Sequence, residues 1–529
     1  MNANSTARTP VLATRKLIVI AMAVSLASGL AAGAGTMAVM KATGTAGDAA
    51  ASSAMGSAPG GQGGMGGADT MSYDYAGTYS GALAADGSAE TSSGETVTAS
   101  NDDQNAALAQ NGGTLTVTGG TLAKSGNASS DDNANFYGTN SIALAVGDGS
   151  TLVLDGTKLT ASGSGSNGVF ATDSATALVR GATIATTADN SRGLDATYGG
   201  TILAGDVTAS TQGDHSATVA TDRGGGSVSL VDSTIATAGS GSPLLYSTGD
   251  VQAYNVTGTA SGSQIAGMEG YNTILIKDST LKSTNTGKTG SDPIANGVII
   301  YQSTSGDAES STGEHATFQA VDSTLTSAIE SGSMFYFTNT TADVVLSNTT
   351  LNFDTTKATL INASGNDSNN WGSTGSNGAT VTFTGRSQTL EGDVTADTIS
   401  SVDLYLLEGS TWTGSASIAE NASAASGSTS EAPITVNVDA TSTWVVTGDT
   451  TVSALNVASG GRVVDASGRT VTIVAGGKTV VSGTSGITVT VTGAYSTSVE
   501  AGGDTELADE TIDRSAYDEQ FGTSTSWSM

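Results

Sequence analysis

Charged side chains are scarce in this chain, and five of them recur in neighbouring strand-like segments. Charged residues make up 13% of the 529 residues. The five are Arg192, Asp195, His215, Asp222 and Arg223. A hydrolase needs two or three carboxylates around one bond, and a lyase needs an arginine or lysine base in a cation-lined groove. We favour the alternative that these are turn residues in local ion pairs, because no further acids lie nearby to support hydrolysis.

A column of aromatic and apolar side chains could bind a ligand instead. Strand alternation places Tyr301 outward if Val298 and Ile300 point inward. The same register predicts an exposed ligand-binding column of Tyr246, Met268, Tyr301 and Phe337. Stacked apolar faces on a rigid sheet hold sugar rings or the apolar patch of a partner. Two alternatives stay open: the insertions near 282–293 and after Ser305 fold over the column, or a one-residue error of strand parity turns it inward.

Acidic insertions offer oxygen ligands. Asp131, Asp132 and Asp367 lie in segments rich in Asn and Asp, whose carboxylate and amide oxygens are the ligands that calcium prefers. None of these segments matches an EF-hand loop or the glycine-rich calcium repeat. Solvated turns are the simpler interpretation. The sequence therefore predicts no cofactor and leaves calcium at these three residues as the alternative.

The elements that position these residues are short strands that recur along the chain. One half of the repeat reads LVLDGTKL at 152–159 and ILIKDSTL at 274–281, and the other half reads GVFATD at 168–173 and GVIIYQ at 297–302. Each half alternates apolar with small or polar residues, as strands do, and Gly, Asn, Asp and Ser occupy the joins. The first four steps of the repeat after residue 167 are 22 to 26 residues long. That length closes a three-stranded coil, so we expect an all-β chain folded as a right-handed parallel β-helix, which is a solenoid.

Composition excludes other solenoids and several functions. Leucine-rich repeats need a regular Leu ladder and helical repeats need a 3.6-residue period, and the chain has neither. The net charge of −31 leaves no basic stripe for phosphates, so we expect no nucleic acid partner. The chain has no cysteine, which removes disulfides, thiolate chemistry and cysteine-based zinc sites.

Changes in composition divide the chain into six segments. Residues 1–41 are predicted to be a signal peptide or a membrane anchor, because Arg15 and Lys16 precede the uncharged run 17–40, which offers a small-residue cleavage site and is also long enough to span a membrane. Either way we expect the body to be exported, outside the cell or on its surface, and to meet the membrane only through 17–40. The other segments are a Gly/Ala/Ser-rich linker at 42–72, an N-terminal cap at 73–96, β-helix repeats at 97–400, C-terminal coils and a cap at 401–499, and a loose acidic tail at 500–529.

The repeats resemble those of bacterial surface proteins. GVFATDSATALVRGATIATTA at 168–188 and RTVTIVAGGKTVVSG at 469–483 are similar to the coils and stability caps of bacterial β-helix adhesins and autotransporter passenger domains. The similarity covers most of residues 97–495. About 30 residues follow Val499, which is too few for the membrane barrel of an autotransporter. We therefore expect a passenger-type β-helix without a translocator barrel.

The resemblance implies a bacterial cell-surface adhesin or carbohydrate-binding protein without catalysis, whose partners are glycans or molecules on a host or neighbouring cell. Polysaccharide lyases and pectin hydrolases share the fold. The alternative is therefore a polysaccharide lyase or glycoside hydrolase that acts on acidic glycans through the Arg192 group. A second alternative is a passive surface spacer. A single charged cleft would indicate the enzyme, an exposed aromatic or polar strip the binder, and neither feature the spacer.

Overall fold

Parallel strands in stacked sheets dominate the computed structural model, which describes residues 72–304, 308, 315–368 and 371–529. Strands make up 48% and helices 4% of these residues. This all-β arrangement agrees with the predicted β-solenoid. The signal or anchor segment at 1–41 and the linker residues 42–71 lie outside the described residues. No helix in the described ranges is long and apolar enough to cross a membrane.

Each typical coil contributes one strand to a first sheet, sheet A, and two strands to a second, sheet B. In one coil these are Val169–Thr172 in sheet A, followed by Thr176–Arg180 and Thr183–Thr186 in sheet B. The next coil begins with Leu194–Ala196, which pairs in parallel with Val169–Thr172. Because the pairing is in register, like side chains stack on one another from coil to coil.

In the described part of the chain, sheet A takes one strand from each of thirteen successive coils. Its strands are Ser80–Asp86, Gln104–Gln110, Ala143–Val146, Val169–Thr172, Leu194–Ala196, Val219–Thr221, Leu245–Ser247, Ala266–Glu269, Asn296–Tyr301, Ser333–Thr338, Thr359–Ala363, Val394–Asp397 and Ala416–Ala419.

Among the residues that the structure describes, sheet B has twenty-three strands, and two smaller sheets, C and D, complete the C-terminal coils. The strands of sheet B are Ala89–Ser93, Thr96–Ala99, Thr114–Thr118, Thr121–Lys124, Thr151–Asp155, Lys158–Ala161, Thr176–Arg180, Thr183–Thr186, Thr201–Gly205, Thr208–Thr211, Ser227–Thr237, Asp250–Ala260, Thr273–Lys277, Thr280–Ser283, Ala316–Val321, Thr324–Ser327, Thr340–Ser347, Thr350–Asn352, Ala379–Arg386, Ser401–Leu407, Ile434–Val438, Ala454–Val457 and Tyr495–Ser496. Sheet C contains Thr389–Glu391, Thr411–Gly414, Thr443–Val446 and Arg462–Asp465, and sheet D contains Thr450–Val452, Thr472–Ala475, Lys478–Val481 and Thr488–Val491.

The bend between the two strands of a coil in sheet B explains the recurrent Asp-Ser-Thr motif. Asp278 and Asp322 have φ values of 49° and 50°, in the left-handed region that Asp and Asn tolerate better than most residues. The next residue is a serine whose Oγ accepts a backbone N–H from the preceding coil. Ser279 accepts from Val256 at 3.0 Å, and Ser323 accepts from Ser279 at 3.1 Å. The motif therefore turns the chain and also ties each coil to the coil before it.

Apolar columns fill the interior of the solenoid. Ile274 and Ile276 are buried there, whereas Lys277 faces outward, as strand alternation predicts. Near the C-terminal end Trp412 stacks on Trp444 with ring centroids 4.7 Å apart, and both rings are fully buried. Burial of one such side chain contributes about 2–3 kcal/mol to the free energy of unfolding. These columns make the outer faces of the sheets a firm platform for side chains.

Residues 503–528, called the C-terminal strap below, lie along the outer face of sheet B. A loose acidic tail was predicted at 500–529, but residues 506–512 are hydrogen-bonded to the coils. Gln319 donates to the strap backbone and accepts the backbone N–H of Ala508 at 2.8 Å. Gln252 accepts the backbone N–H of Ile512 at 2.9 Å. Glutamines that face outward from two coils therefore hold the backbone of the strap.

A buried arginine and an aromatic ring anchor the far end of the strap. Arg514 donates from Nη1 to the carbonyl of Ser229 at 2.9 Å and from Nη2 to the carbonyl of Ala204 at 3.1 Å. Tyr517 lies in helix α2 (Ser515–Phe521) and packs on three apolar residues of the outer face, Val153, Leu178 and Leu203. Because apolar residues on an outer face need a cover, the strap completes the folded body at this face.

The segment predicted as an N-terminal cap, 73–96, divides into two parts. Residues 73–79 lie on the outer face of sheet A, where Tyr73 and Tyr79 pack against a buried cluster of Leu108, Leu144, Val146 and Phe170. The first strand of sheet A, Ser80–Asp86, then begins the first coil. Helix α1 (Asp131–Tyr137) lies beside the tyrosines, since Tyr79 donates to the carbonyl of Tyr137 at 2.9 Å. This end of the outer face is therefore covered.

Candidate functional site

The register of sheet A decides which side chains reach its outer face. Tyr246 pairs with Gly267, Gly267 with Ile299 and Ile299 with Tyr336, which makes one outward column. Met268 and Phe337 stack with Ile300 in the neighbouring column, which points into the core. Both are 0% exposed, so the expectation that they lie on the surface is wrong. Met268 and Phe337 occupy the alternate strand positions to Tyr246, so their side chains point to the opposite face of the sheet.

Tyr246 and Tyr301 lie on the outer face, but neighbouring insertions cover them. They are 8% and 7% exposed. The ring of Tyr301 stacks on Trp371 with centroids 4.0 Å apart. Trp371 belongs to an insertion, and Asn366 and Asn377 fix it by donating to its carbonyl at 3.1 and 2.9 Å. The predicted exposed column is thus a partly covered pocket, because the insertions pack over it.

A buried glutamate positions the two tyrosine hydroxyls. Tyr246 and Tyr301 each donate from Oη to Oε2 of Glu269 at 3.0 Å. Ser303 donates to the other carboxylate oxygen. Burial raises the pKa of both tyrosines well above 10, so both hydroxyls keep their protons at neutral pH. The two rings are therefore held in fixed orientations.

The arginine group lies on the same face, one and two coils away from Tyr246. Arg192 donates from Nη1 to Asp195 at 3.1 Å and from Nη2 to Asp222 at 2.6 Å. The side chains are 3%, 0% and 5% exposed, so these ion pairs are buried in the sheet face and do not lie in a solvated turn. Burial raises the pKa of Asp195, against the opposing effect of the Arg192 guanidinium. Removal of one partner from a buried ion pair is strongly destabilising, because the other charge is then buried without compensation.

Counting repeats of equal length in the sequence aligns Arg192 with His215, but two members of the predicted charged group, His215 and Arg223, lie elsewhere. Leu194 pairs with Val219, so Arg192 is level with Ala217 and not with His215. His215 lies in the adjoining loop, and burial lowers the pKa of its imidazole, which keeps it neutral at pH 7. Arg223 stacks on Phe136 next to α1, with its guanidinium 3.8 Å from the ring centroid. Loop lengths that differ by a residue or two between coils explain the error.

The aromatic and charged groups meet in one pocket on the outer face of sheet A. Its cavity volume is about 40 Å³, set within about 550 Å³ of empty space that includes open solvent. Its apolar wall includes Ala217, Pro243, Tyr246, Ile299, Tyr301 and Trp371. Its polar wall includes Arg192, His215, Gln264, Ser291 and Asp292. A pocket with an aromatic wall and converging polar groups suits a small polar ligand that also has an apolar face.

Asp292 and Trp371 are pocket residues that sequence reasoning missed. Asp292 lies in the insertion 284–295, and its Oδ2 accepts from Nδ2 of Asn296 at 2.8 Å. Burial raises its pKa to about 7, partly opposed by the Asn296 hydrogen bond. Its carboxyl group can therefore be charged or neutral near neutral pH. Both residues lie in insertions, where no repeat register reveals which way a side chain points.

The three predicted calcium ligands do not come together. Asp131 and Asp132 lie exposed in the first turn of α1, and Asp367 is exposed in the insertion that contains Trp371. Within the described ranges one group of three metal-ligating side chains is present, and it consists of His315, Asp343 and Asp504. Sequence reasoning did not identify this group, because its members are separated by 28 and 161 residues.

Comparison with known proteins adds no relative. No protein-family model, no curated protein and no solved structure matches this chain.

Proposed function

We propose that this chain is an exported bacterial surface protein that binds glycans in the pocket on sheet A. The observation that carries the proposal is the juxtaposition of Tyr246, Tyr301 and Trp371 with the polar groups of Arg192 and Asp292. A sugar ring offers an apolar face and a rim of hydroxyls. Aromatic side chains pack against the face, and polar side chains bond the rim.

The polar wall suits hydroxyl groups in particular. Gln264 offers an amide donor and acceptor, and the neutral imidazole of His215 offers one of each. Asp292 can accept a hydrogen bond when charged and donate one when protonated. Because Glu269 and the insertions already order the rings, little side-chain freedom is lost on binding. Preorganisation of this kind favours affinity for a small ligand.

The wider setting of the proposal follows from the whole chain. A right-handed β-helix is expected, since parallel strands in one sheet are almost always joined by right-handed connections. The absence of cysteine, the net charge of −31 and the apolar run at 17–40 all suit export. The partners are glycans or other molecules of a host or neighbouring cell surface. Contact with the membrane is made only through residues 17–40. Glycan binding is tested with and without calcium.

A glycan-cleaving enzyme is the second candidate, and Asp292 is the observation that favours it. A carboxyl group with a pKa of about 7 is suited to act as a general acid near neutral pH. Arg192 is already paired with two carboxylates, which counts against it as the base of a lyase. The test is release of reducing ends or unsaturated uronides from pectin, alginate or xylan. Release that disappears in Asp292→Asn would favour the enzyme over the binder.

A glycan array tests the binding proposal. The full chain is compared with Trp371→Ala, with and without calcium. Loss of one stacked ring removes about 1 kcal/mol or more, so binding should weaken at least about fivefold. Trp527→Ala is the matched control, because Trp527 stacks on Tyr254 of sheet B, away from the pocket. Equal weakening by both variants, or no glycan bound by the wild type, would refute the proposal.

A further inference from the structure

One imidazole and two carboxylates converge where the C-terminal strap meets sheet B. His315 immediately precedes the strand Ala316–Val321, and Asp343 faces outward from the strand that pairs with it in the next coil, Thr340–Ser347. Asp504 lies in the 3₁₀ helix Gly503–Thr505, at the start of the strap. One ligand atom from each residue lies within 4.8 Å of the other two. Two coils and the strap therefore each supply one side chain to a single point.

The charges at this point are not balanced by basic residues. No lysine or arginine in the described part of the chain forms an ion pair with Asp343 or Asp504. The guanidinium of Arg386, close to the strap, pairs with Glu408 and Glu506 instead. Nδ1 of His315 lies 2.8 Å from Oδ2 of Asp343. Two carboxylates and one imidazole thus face one another, and an added cation would lower their repulsion.

The buried oxygen of Asp343 is a second indication. Oδ1 of Asp343 is buried without a hydrogen-bond partner among the described residues. The hydroxyl of Thr382, which pairs with Asp343 in the neighbouring coil, has only a minor lowering effect on the pKa of this carboxyl group. A buried acceptor without a hydrogen bond destabilises the folded state. Coordination of a cation by the same carboxylate would satisfy it.

We propose that His315, Asp343 and Asp504 bind a divalent cation and that this cation fastens the strap to the solenoid. One nitrogen and two oxygen ligands suit zinc or manganese, whereas calcium prefers a shell made only of oxygen. Three protein ligands leave coordination positions for water. Because Asp504 reaches the site only when the strap is docked, the ion and the docked strap stabilise each other. The site is on sheet B, whereas the glycan pocket is on sheet A.

Docking of the strap has a consequence for the surface of the protein. The strap covers the outward apolar residues Val153, Leu178 and Leu203 through Tyr517. A strap that is less firmly held exposes this apolar surface more often, and surfaces of that kind associate with other chains. The cation would therefore keep the folded body closed at this face.

Calorimetry and hydrogen exchange on the full chain test the proposal. The protein carries no histidine tag, is freed of metal with EDTA, and is titrated separately with Zn²⁺, Mn²⁺ and Ca²⁺. His315→Ala and Asp504→Asn each remove one ligand, and Asp509→Asn is the control, since Asp509 is an exposed carboxylate of the same strap. Asp504 is exposed, so its substitution leaves the fold intact and keeps the test valid if His315→Ala fails to fold. Exchange of strap amides 506–528 is measured with and without the ion.

We expect calorimetry to detect one high-affinity site for zinc or manganese in the wild type and in Asp509→Asn. Loss of either ligand should weaken that site at least about tenfold. The ion should slow exchange of the strap in the wild type and not in Asp504→Asn. Absence of a tight site, tighter binding of calcium than of zinc and manganese, or equal affinity in Asp504→Asn and the wild type would each overturn it.

Discussion

Asp292→Asn removes a buried carboxyl group from the pocket on sheet A. Burial raises the pKa of Asp292 from 3.8 to about 7. Well below pH 3.8 the carboxyl group is protonated in both the folded and the unfolded chain, so its burial does not lower the free energy of unfolding. As the pH rises to 7 the unfolded chain ionises first, and the free energy of unfolding falls. Because each unit of pKa difference corresponds to about 1.4 kcal/mol, the free energy of unfolding is lower by about 4 kcal/mol near pH 7.

Asparagine cannot ionise, so the variant escapes this loss. Urea unfolding of the wild type and of Asp292→Asn is measured at several values between pH 4 and 7.5. Between pH 4 and 7.5, the free energy of unfolding of the variant should rise by up to about 4 kcal/mol relative to that of the wild type, with little further rise at higher pH. A difference between Asp292→Asn and wild type that does not change with pH would show that Asp292 is not buried as described.

Two further predictions concern the solenoid and the strap. Ile276→Asp should lower the free energy of unfolding by about 4 kcal/mol or more, because it buries an unpaired charge, whereas Lys277→Asp on the outward face should cost less than about 1 kcal/mol. Equal urea midpoints for the two variants would contradict the register. Arg514→Ala removes a buried guanidinium that bonds two backbone carbonyls, so amide exchange of the strap should accelerate at least about tenfold while exchange of sheet A stays the same. Uniform acceleration in both regions would show that the strap and the coils unfold together.

The repeated strands could be predicted from the sequence because their pattern is local. The alternation in ILIKDSTL shows without any structure that Ile276 and Lys277 face opposite ways. The Asp-Ser-Thr motif likewise marks a bend, since Asp accepts the left-handed conformation that the bend requires. Each coil repeats this information, which is why the parallel stacking of the sheets follows from it.

The pocket could be predicted only in part, because it depends on how coils of different length align. Tyr246 pairs with Gly267 and not with Met268, and this single step separates an outward column from an inward one. Asp292 and Trp371 lie in insertions, and their positions depend on tertiary packing. Strand alternation could have indicated the strap, since it places apolar Leu178 and Leu203 on an outer face that needs a cover.

The most direct test of the binding site is a crystal structure of the full chain with the glycan that binds best on the array. The account predicts a sugar ring in the pocket on sheet A, with its face against Tyr246 or Trp371 and its hydroxyls bonded to Gln264 and Asp292. Electron density for the sugar at another surface, with the pocket closed, would contradict it.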